Sequence, residues 1–544
     1  MSLRRNILTS WVAHVVTMVV SFFMLPYVLT ALGKNAYGVW LFLNALASYS
    51  SLLYMGFGAT VCRYVADHAG RKQWDALNQV VSAIFAVYCV MAGVVLVASC
   101  GLAVAAPQIS NWGAESIGEI RLVILMNGLA TAIGMVASVY GGVLIGTQRI
   151  DLKQSVETGS VIARFAMVYL FLIWHPSLLT MSAIFLAVMV AENAIHIYFA
   201  YRQLPTLSVR FSHVRKSVLK ECFGFTSYSA LATIAEQLIY MTDTVVISLC
   251  LGMKEVVPYA IALRICQMAQ APLGKIGEAM LPKAGEMHAT GRHGELARLC
   301  EKMTGLSFVL ISACLIGCGF FARMLLDVWI ASKDSGWTPA DTETCLTVLL
   351  ILLGAQVVAQ PLVVLRKTLL GMGNVRLPSL IDLGEALINL VLSLGLVYAV
   401  GVVGVAWGTF VPLVFIELFV LLPYANREIG TTSGRLLRHA ILPQIPALLG
   451  LLTYCWVVSR CDFPHRWAAL IPIAGGGGLV LAAIWLLTNA VRRRLALRTS
   501  EAGADGARFE DLAPLGAPPA RDRCDGTNSA ACPATEARMT PVPS

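Results

Sequence analysis

The sequence predicts an all-α polytopic membrane protein. It has about fourteen transmembrane helices, set out as two pseudo-symmetric six-helix lobes with two extra helices toward the C-terminal end. Three observations carry this. Only 13% of the 544 residues are charged and the mean hydropathy is +0.73, so a soluble fold could not cover its surface. The apolar residues fall into blocks of about 20, long enough to cross a hydrocarbon core roughly 30 Å thick. Loop and span patterns recur about 222 residues apart. The same figures exclude other classes. A disordered chain needs the opposite balance of charge and hydrophobicity, the 45 glycines show no triplet period, and apolar runs this long argue against a membrane β-barrel.

In order, the spans fall at 7–31, 37–60, 80–106, 120–145, 155–174, 178–200, 227–251, 256–281, 303–326, 345–370, 377–400, 402–423, 439–458 and 467–491. The first follows Arg4 and Arg5 as a signal peptide would, but it is longer than a signal core and further spans succeed it. The pairs meeting at His175-Pro176 and Val400-Gly401 read as two helices each, because the combined apolar stretches are too long for one. No span is followed by a soluble segment large enough for a catalytic domain; the longest loop is 201–226 and the next 282–302. The chain therefore reads as no enzyme, with no cofactor. There is no GxxxxGK[ST] pattern, so it should not drive transport by hydrolysing ATP itself.

Lys and Arg set the orientation. With the N-terminus inside, the inner loops carry groups such as Arg71, Lys72, Arg215, Lys216, Arg298, Lys302 and the run Arg492-Arg493-Arg494, against few outside, among them Lys34, Lys254 and Arg460. The excess is more than threefold, which places both ends in the cytoplasm. The net charge of +9 is thus mostly a topology signal. No basic face with interleaved aromatics indicates nucleic acid. Residues 492–544 are rich in Ala, Gly, Pro, Ser and Thr and read as a disordered cytoplasmic tail. Most of the fourteen cysteines sit inside spans, where they act as small apolar residues. Cys314 and Cys318 share a face without His or carboxylate neighbours, a poor metal site. Cys345 and Cys461 fall at outer ends and could pair in an oxidising compartment.

The repeat sets the domains. Tyr37 to Leu77 matches Tyr259 to Leu296, with Gly70-Arg71 against Gly291-Arg292, and Leu144-Ile145-Gly146 matches Leu369-Leu370-Gly371, which brings Glu157 onto Asp382. Six spans is an even number, so both copies enter the membrane in the same sense. This gives an N-lobe at 1–200, a cytoplasmic loop at 201–226, a C-lobe at 227–424, two added spans at 425–491 and the tail from 492. Small residues at Gly142/Gly146 and Gly404/Gly408 suit close helix packing. Pro26, Pro272, Pro361 and Pro412 can bend their spans.

Ionisable residues at membrane depth cost about 2.5–3.5 kcal/mol each and face a cavity or a partner. Span five carries Glu157, Ser160 and Arg164 on one face, and span eleven carries Asp382, Glu385 and Asn389. Span seven carries Glu236 and Asp243, and span eight Arg264, Lys275 and Glu278, flanked by Gln267. Span two adds Asn44, Ser48 and Ser51, and span one His14, Thr17 and Ser21. As a cavity lining, the basic members Arg164, Arg264 and Lys275 could hold an anionic head group. Glu236, Asp243, Glu192 and Glu278 are candidates for ion coupling or ion pairing. The competing reading is mutual pairing, Arg164 with Glu192 and Arg264 with Asp243. Arg366 and Lys367 lie near an inner end, where snorkelling suffices to place them.

The stretch Leu25-Pro26-Tyr27-Val28-Leu29-Thr30-Ala31-Leu32-Gly33, then Tyr37-Gly38-Val39-Trp40, and Gly56-Phe57-Gly58-Ala59 leading to Arg63-Tyr64-Val65-Ala66, resembles the start of polysaccharide transporters. These are the Wzx-type O-antigen flippases of the multidrug/oligosaccharidyl-lipid/polysaccharide (MOP) exporter superfamily. The resemblance implies a bacterial inner-membrane flippase that moves an undecaprenyl-pyrophosphate-linked oligosaccharide by alternating access through a cationic cavity. Arg164, Arg264 and Lys275 fit that idea without a tight family motif to fix them. Its partners would be the lipid-linked oligosaccharide, the bilayer, and the polymerase and glycosyltransferases of surface polysaccharide synthesis, with no nucleic acid. Lipid II flippases, which also have fourteen spans, are one alternative. An ion-coupled antiporter is another, weakened because the first span has His14 where related antiporters carry a carboxylate.

Overall fold

The structure, a computed structural model, describes residues 3–54, 57–109, 112, 115–220, 241–331 and 336–510. Among them there is no strand. The helices are α1 (Leu3–Ser48), α2 (Ser51–Tyr54), α3 (Phe57–Gly70), α4 (Trp74–Ile109), α5 (Ile117–Gly146), α6 (Ile150–Trp174) and α7 (Leu178–Gln203). Further along come α8 (Met241–Cys250), α9 (Val256–Ala289), α10 (His293–Leu326), α11 (Pro339–Gly371), α12 (Arg376–Val400), α13 (Val402–Ile416), α14 (Leu422–Ile429), α15 (Ser433–Leu436), α16 (Ile445–Val458) and α17 (Trp467–Glu510). π-helical turns at Asp327–Ala331, Glu417–Leu421 and Leu437–Ile441 extend or join neighbouring helices.

Eleven of these stretches are long and apolar enough to cross a membrane. The count reconciles with fourteen spans. Spans one and two share α1, which is kinked at Gly33 (φ +77°). Span seven is described only over Met241–Cys250, and span eight is α9, long enough but carrying Arg264, Lys275 and Glu278. The two close pairs are separate helices, each for a local reason. α6 stops at Trp174, and the Ser177 hydroxyl caps α7 by accepting from Thr180 N at 3.1 Å. α12 stops at Val400, and Gly401 turns the chain with φ +68°.

Span two departs from expectation, because its helix breaks after Ser48. The Asn44 amide donates to Trp40 O at 2.7 Å and the Ser48 hydroxyl to Asn44 O at 2.8 Å, side-chain bonds that compete with the helical ladder and bend it. A second departure is at the far end: α17 continues to Glu510, past residue 492 where the tail was expected to begin, and 511–544 lie outside the described residues.

Residues Met1–Thr488 pack as one compact unit, and Asn489–Ser544 form a second. The main core of the first runs through α1, α6, α7, α9, α10 and α11, around Phe42, Val168, Tyr259, Ile311 and Leu349. Both small-residue motifs are points of close approach. A Cβ on Gly142 would lie 2.8 Å from Val61 and one on Gly146 2.7 Å from Val65, while Gly404 and Gly408 abut the Leu396 carbonyl and Ser393. Cys345 and Cys461 are both free, so the disulfide considered above is not formed.

One end of the bundle is shut by contacts between its early and late helices. Lys34 Nζ meets Asp341 Oδ1 at 2.6 Å, and Asp341 also closes the capping box of α11 with Thr338. Gly38 lies directly against the Met253 carbonyl. Trp329 Nε1 donates to Phe22 O at 3.0 Å, with the two rings stacked at 4.5 Å.

Candidate functional site

Below that closed end lies a cavity of about 340 Å³. Both arms of α1 line it, with Ser21 and Val28 before the kink and Tyr37, Trp40, Asn44 and Ser48 after it. Thr244 of α8 and Ala260, Arg264 and Gln267 of α9 complete the wall. Of the polar groups that sequence periodicity placed on spans one, two and eight, Ser21, Asn44, Ser48, Arg264 and Gln267 meet around one space, while His14, Thr17, Lys275 and Glu278 are not on its wall. Arg264 has no hydrogen bond or ion pair among the described residues. A guanidinium left unneutralised in a mostly apolar cavity attracts an anion, and its planar fork suits phosphate oxygens.

The tie expected between Arg264 and Asp243 is not made. Asp243 is 2% exposed and is held by hydroxyl groups of other helices. Tyr259 Oη of α9 donates to Oδ2 at 2.5 Å, Thr409 Oγ1 of α13 to Oδ2 at 2.7 Å, and Ser393 Oγ of α12 lies 3.4 Å from Oδ1. Asn389 Oδ1 is 3.3 Å from Ser393 Oγ, and the Val405 carbonyl 3.5 Å from it. This is a compact oxygen-lined nest, with one carboxyl and no cationic side chain in contact among the described residues. Asp243 stood out in the sequence as a charge in an apolar run. Its partners did not, since isolated Ser, Thr and Tyr are ordinary helix residues.

The remaining candidates separate. Lys275 does not line the cavity; its Nζ pairs with Glu278 Oε2 at 2.9 Å, and it lies about 16 Å further along α9 than Arg264. Arg164 reaches Glu192 at 3.9 Å, as the pairing alternative expected, and its guanidinium lies 4.5 Å over the Phe185 ring. Glu236 lies outside the described residues. Arg366, read as a snorkelling group, instead turns inward and pairs with Asp382 of α12 and Glu417 of the π turn after α13. Glu417 was missed in the sequence, although it is an acid set in the apolar run 402–423. Among the described residues no group of three or more His, Cys, Asp or Glu is placed to hold a metal.

Three kinds of likeness bear on this geometry. The family model described as polysaccharide biosynthesis protein matches residues 3–288, and the MatE model matches 229–394. The uncharacterized membrane protein EpsK of Bacillus subtilis (strain 168) is 20% identical over 458 residues, 84% of this chain and 88% of that one. Among solved structures, the lipid II flippase MurJ in an inward closed conformation superposes with a TM-score of 0.70 at 12% identity, covering 90% of this chain and all of that one. An inward-facing multidrug resistance MATE family transporter gives 0.66 at 12% identity, covering 76% and 94%. At these identities the structural likeness speaks for the fold.

Proposed function

The chain belongs to the polysaccharide biosynthesis protein family of the MOP superfamily, a membrane transporter, and on that premise we propose that it flips an undecaprenyl-pyrophosphate-linked oligosaccharide across the bacterial inner membrane, both termini being cytoplasmic. The observation that carries the reading is Arg264, a cation without a counter-ion among the described residues, on the wall of the cavity lined by α1, α7, α8 and α9. A pyrophosphate bound there would accept charge-assisted hydrogen bonds from Arg264, with Gln267 and Asn44 as neutral donors. The sugar would occupy the polar side of the space, and the lipid would stay between helices. Lys275, one end of an exposed ion pair, would meet the head group on its way in or out. The partners proposed are the glycosyltransferases and polymerase that make and use the substrate.

Alternating access would work through the closed end. Opening it requires parting Lys34 from Asp341 and Phe22 from Trp329, contacts that are largely buried, so their groups must be rehydrated or re-paired in the open state. The test is surface glycan in a cell that depends on this chain. Arg264→Ala should abolish it with the protein still present in the membrane. Normal glycan in the combined Arg264→Ala and Lys275→Ala variant would remove the cationic-site reading.

A second reading is an ion-coupled small-molecule antiporter of the same superfamily. The observation in its favour is the oxygen nest at Asp243, within the segment that the MatE model matches. Here Asp243 exchanges a proton or Na⁺ against substrate. Efflux-dependent resistance lost in Asp243→Asn would support it, and unchanged tolerance to all cationic compounds tried would count against it.

A further inference from the structure

Three carboxyls crowd one guanidinium in the second half of the molecule. Arg366 of α11 is paired with Asp382 of α12 and with Glu417, the first residue of a π turn, a wide turn that recurs at functional sites. Glu385 follows Asp382 by one turn on the same face of α12. It is 4% exposed, and its Oε2 is buried without a hydrogen-bond partner. The charged groups facing it are Asp382 on its own helix, Arg366 on α11 and Glu417 on the turn. Lys367 of α11 faces Asp382, and its stem rests against Gly277 of α9.

The charges do not balance. Among the described residues, two cations, Arg366 and Lys367, face three carboxyls, so one carboxylate there has no counter-charge. An unpaired carboxylate at this depth costs several kcal/mol, and a neutral carboxylic acid far less. Asp382 and Glu417 already hold the guanidinium. Glu385, with no ion pair among the described residues and its Oε2 unpartnered, is the group left to be neutralised by a proton. The nest at Asp243 is a different place, where hydroxyl donors supply what Arg366 supplies here.

We propose that Glu385 is a proton-binding site of this carrier, separate from the Arg264 cavity and from Asp243. The step is protonation alone: the carboxylate takes H⁺ from water and returns it. Glu385 lies nine residues into α12, about 14 Å from the helix start, and the exchange requires water to enter from the 372–375 turn when the helices part. When the proton leaves, Glu385 competes for Arg366, and the guanidinium must loosen its hold on α12 or on the turn after α13. Proton occupancy is thereby linked to how those helices sit on α11.

The full-length protein in lipid vesicles tests this by infrared difference spectroscopy across pH. The wild type should show a carboxylic-acid C=O band that disappears as the pH rises, and Glu385→Gln should lose that band. Its persistence in Glu385→Gln, or the absence of any titrating carboxyl band in the wild type, would overturn the proposal. Should Glu385→Gln fail to fold, Glu385→Asp serves: the band must then move in frequency, and an unmoved band is equally fatal. The readout needs no substrate, so it stands or falls independently of the glycan assignment.

Discussion

The two halves of the molecule bury their charge differently. In the first, α6 and α7 carry Lys153 paired with Glu157, and Arg164 facing Glu192, two cations for two carboxylates. Gln154 donates to Glu157 at 2.8 Å, and Phe185 covers the Arg164 guanidinium. In the second, at the position that the sequence repeat aligns with Glu157, Asp382 joins Glu385 and Glu417 around Arg366, with Lys367 close by. In the first arrangement the charges balance, and Arg164 with Glu192 links α6 to α7. The second, among the described residues, is one cation short, which a proton on one carboxyl would make good. A charged stripe inside a membrane is therefore not one kind of object: the sum of its charges separates a fastening from a site.

The most disruptive way to break this contrast is Arg366→Met, which strands the carboxyls it holds. The expected loss is about 3–5 kcal/mol, the usual effect of removing one partner of a buried pair. Thermal unfolding of the purified protein reads it, and an unchanged transition would mean that the carboxyls find other partners. Arg164→Met should cost less, about 1–3 kcal/mol, because its contact with Glu192 is long and both groups are partly wetted. Adding Glu192→Gln should restore part of the loss, and a double-mutant cycle with no coupling would show that the pair ties nothing.

The glycine motifs give a finer comparison between the same halves. Gly404→Ala drives a methyl group into the Leu396 carbonyl, which cannot swing aside, so about 1–3 kcal/mol is expected. Gly142→Ala meets the side chain of Val61, which can turn, and should cost less. Equal costs would mean that helix backbones, rather than side chains, relax. The smallest effect expected is that of Tyr259→Phe. Asp243 keeps Thr409, so the loss is about 1 kcal/mol.

The fold was legible because lipid leaves a coarse record: a spanning helix needs about 20 apolar residues whatever it packs against. Even the two tight helix pairs could be read, since His175-Pro176 and Gly401 are breaks of known kinds. The site was legible in part. Periodicity placed Ser21, Asn44, Ser48, Arg264 and Gln267 facing one space, because residues along one helix keep their face. It also drew Lys275 in with Arg264, since angle along a helix says nothing of depth, and α9 carries Pro272 between them. Arg366 was misread for the opposite reason. Its partners arrive from 16 and 51 positions further along, and no local pattern announces a contact that only folding makes.

The kink at Gly33 makes the two arms of α1 a pair of levers on one pivot. The second arm runs fifteen residues to Ser48, about 22 Å. A rotation of about 10° at that single residue would swing its tip by about 4 Å at such a radius. Lys34, whose bond to Asp341 fastens the shut end, sits beside the pivot, while Asn44 and Ser48 lie toward the tip. The geometry trades distance at the fastening for distance in the chamber, so a catch slipping by less than an ångström can redraw the space in which a substrate would rest.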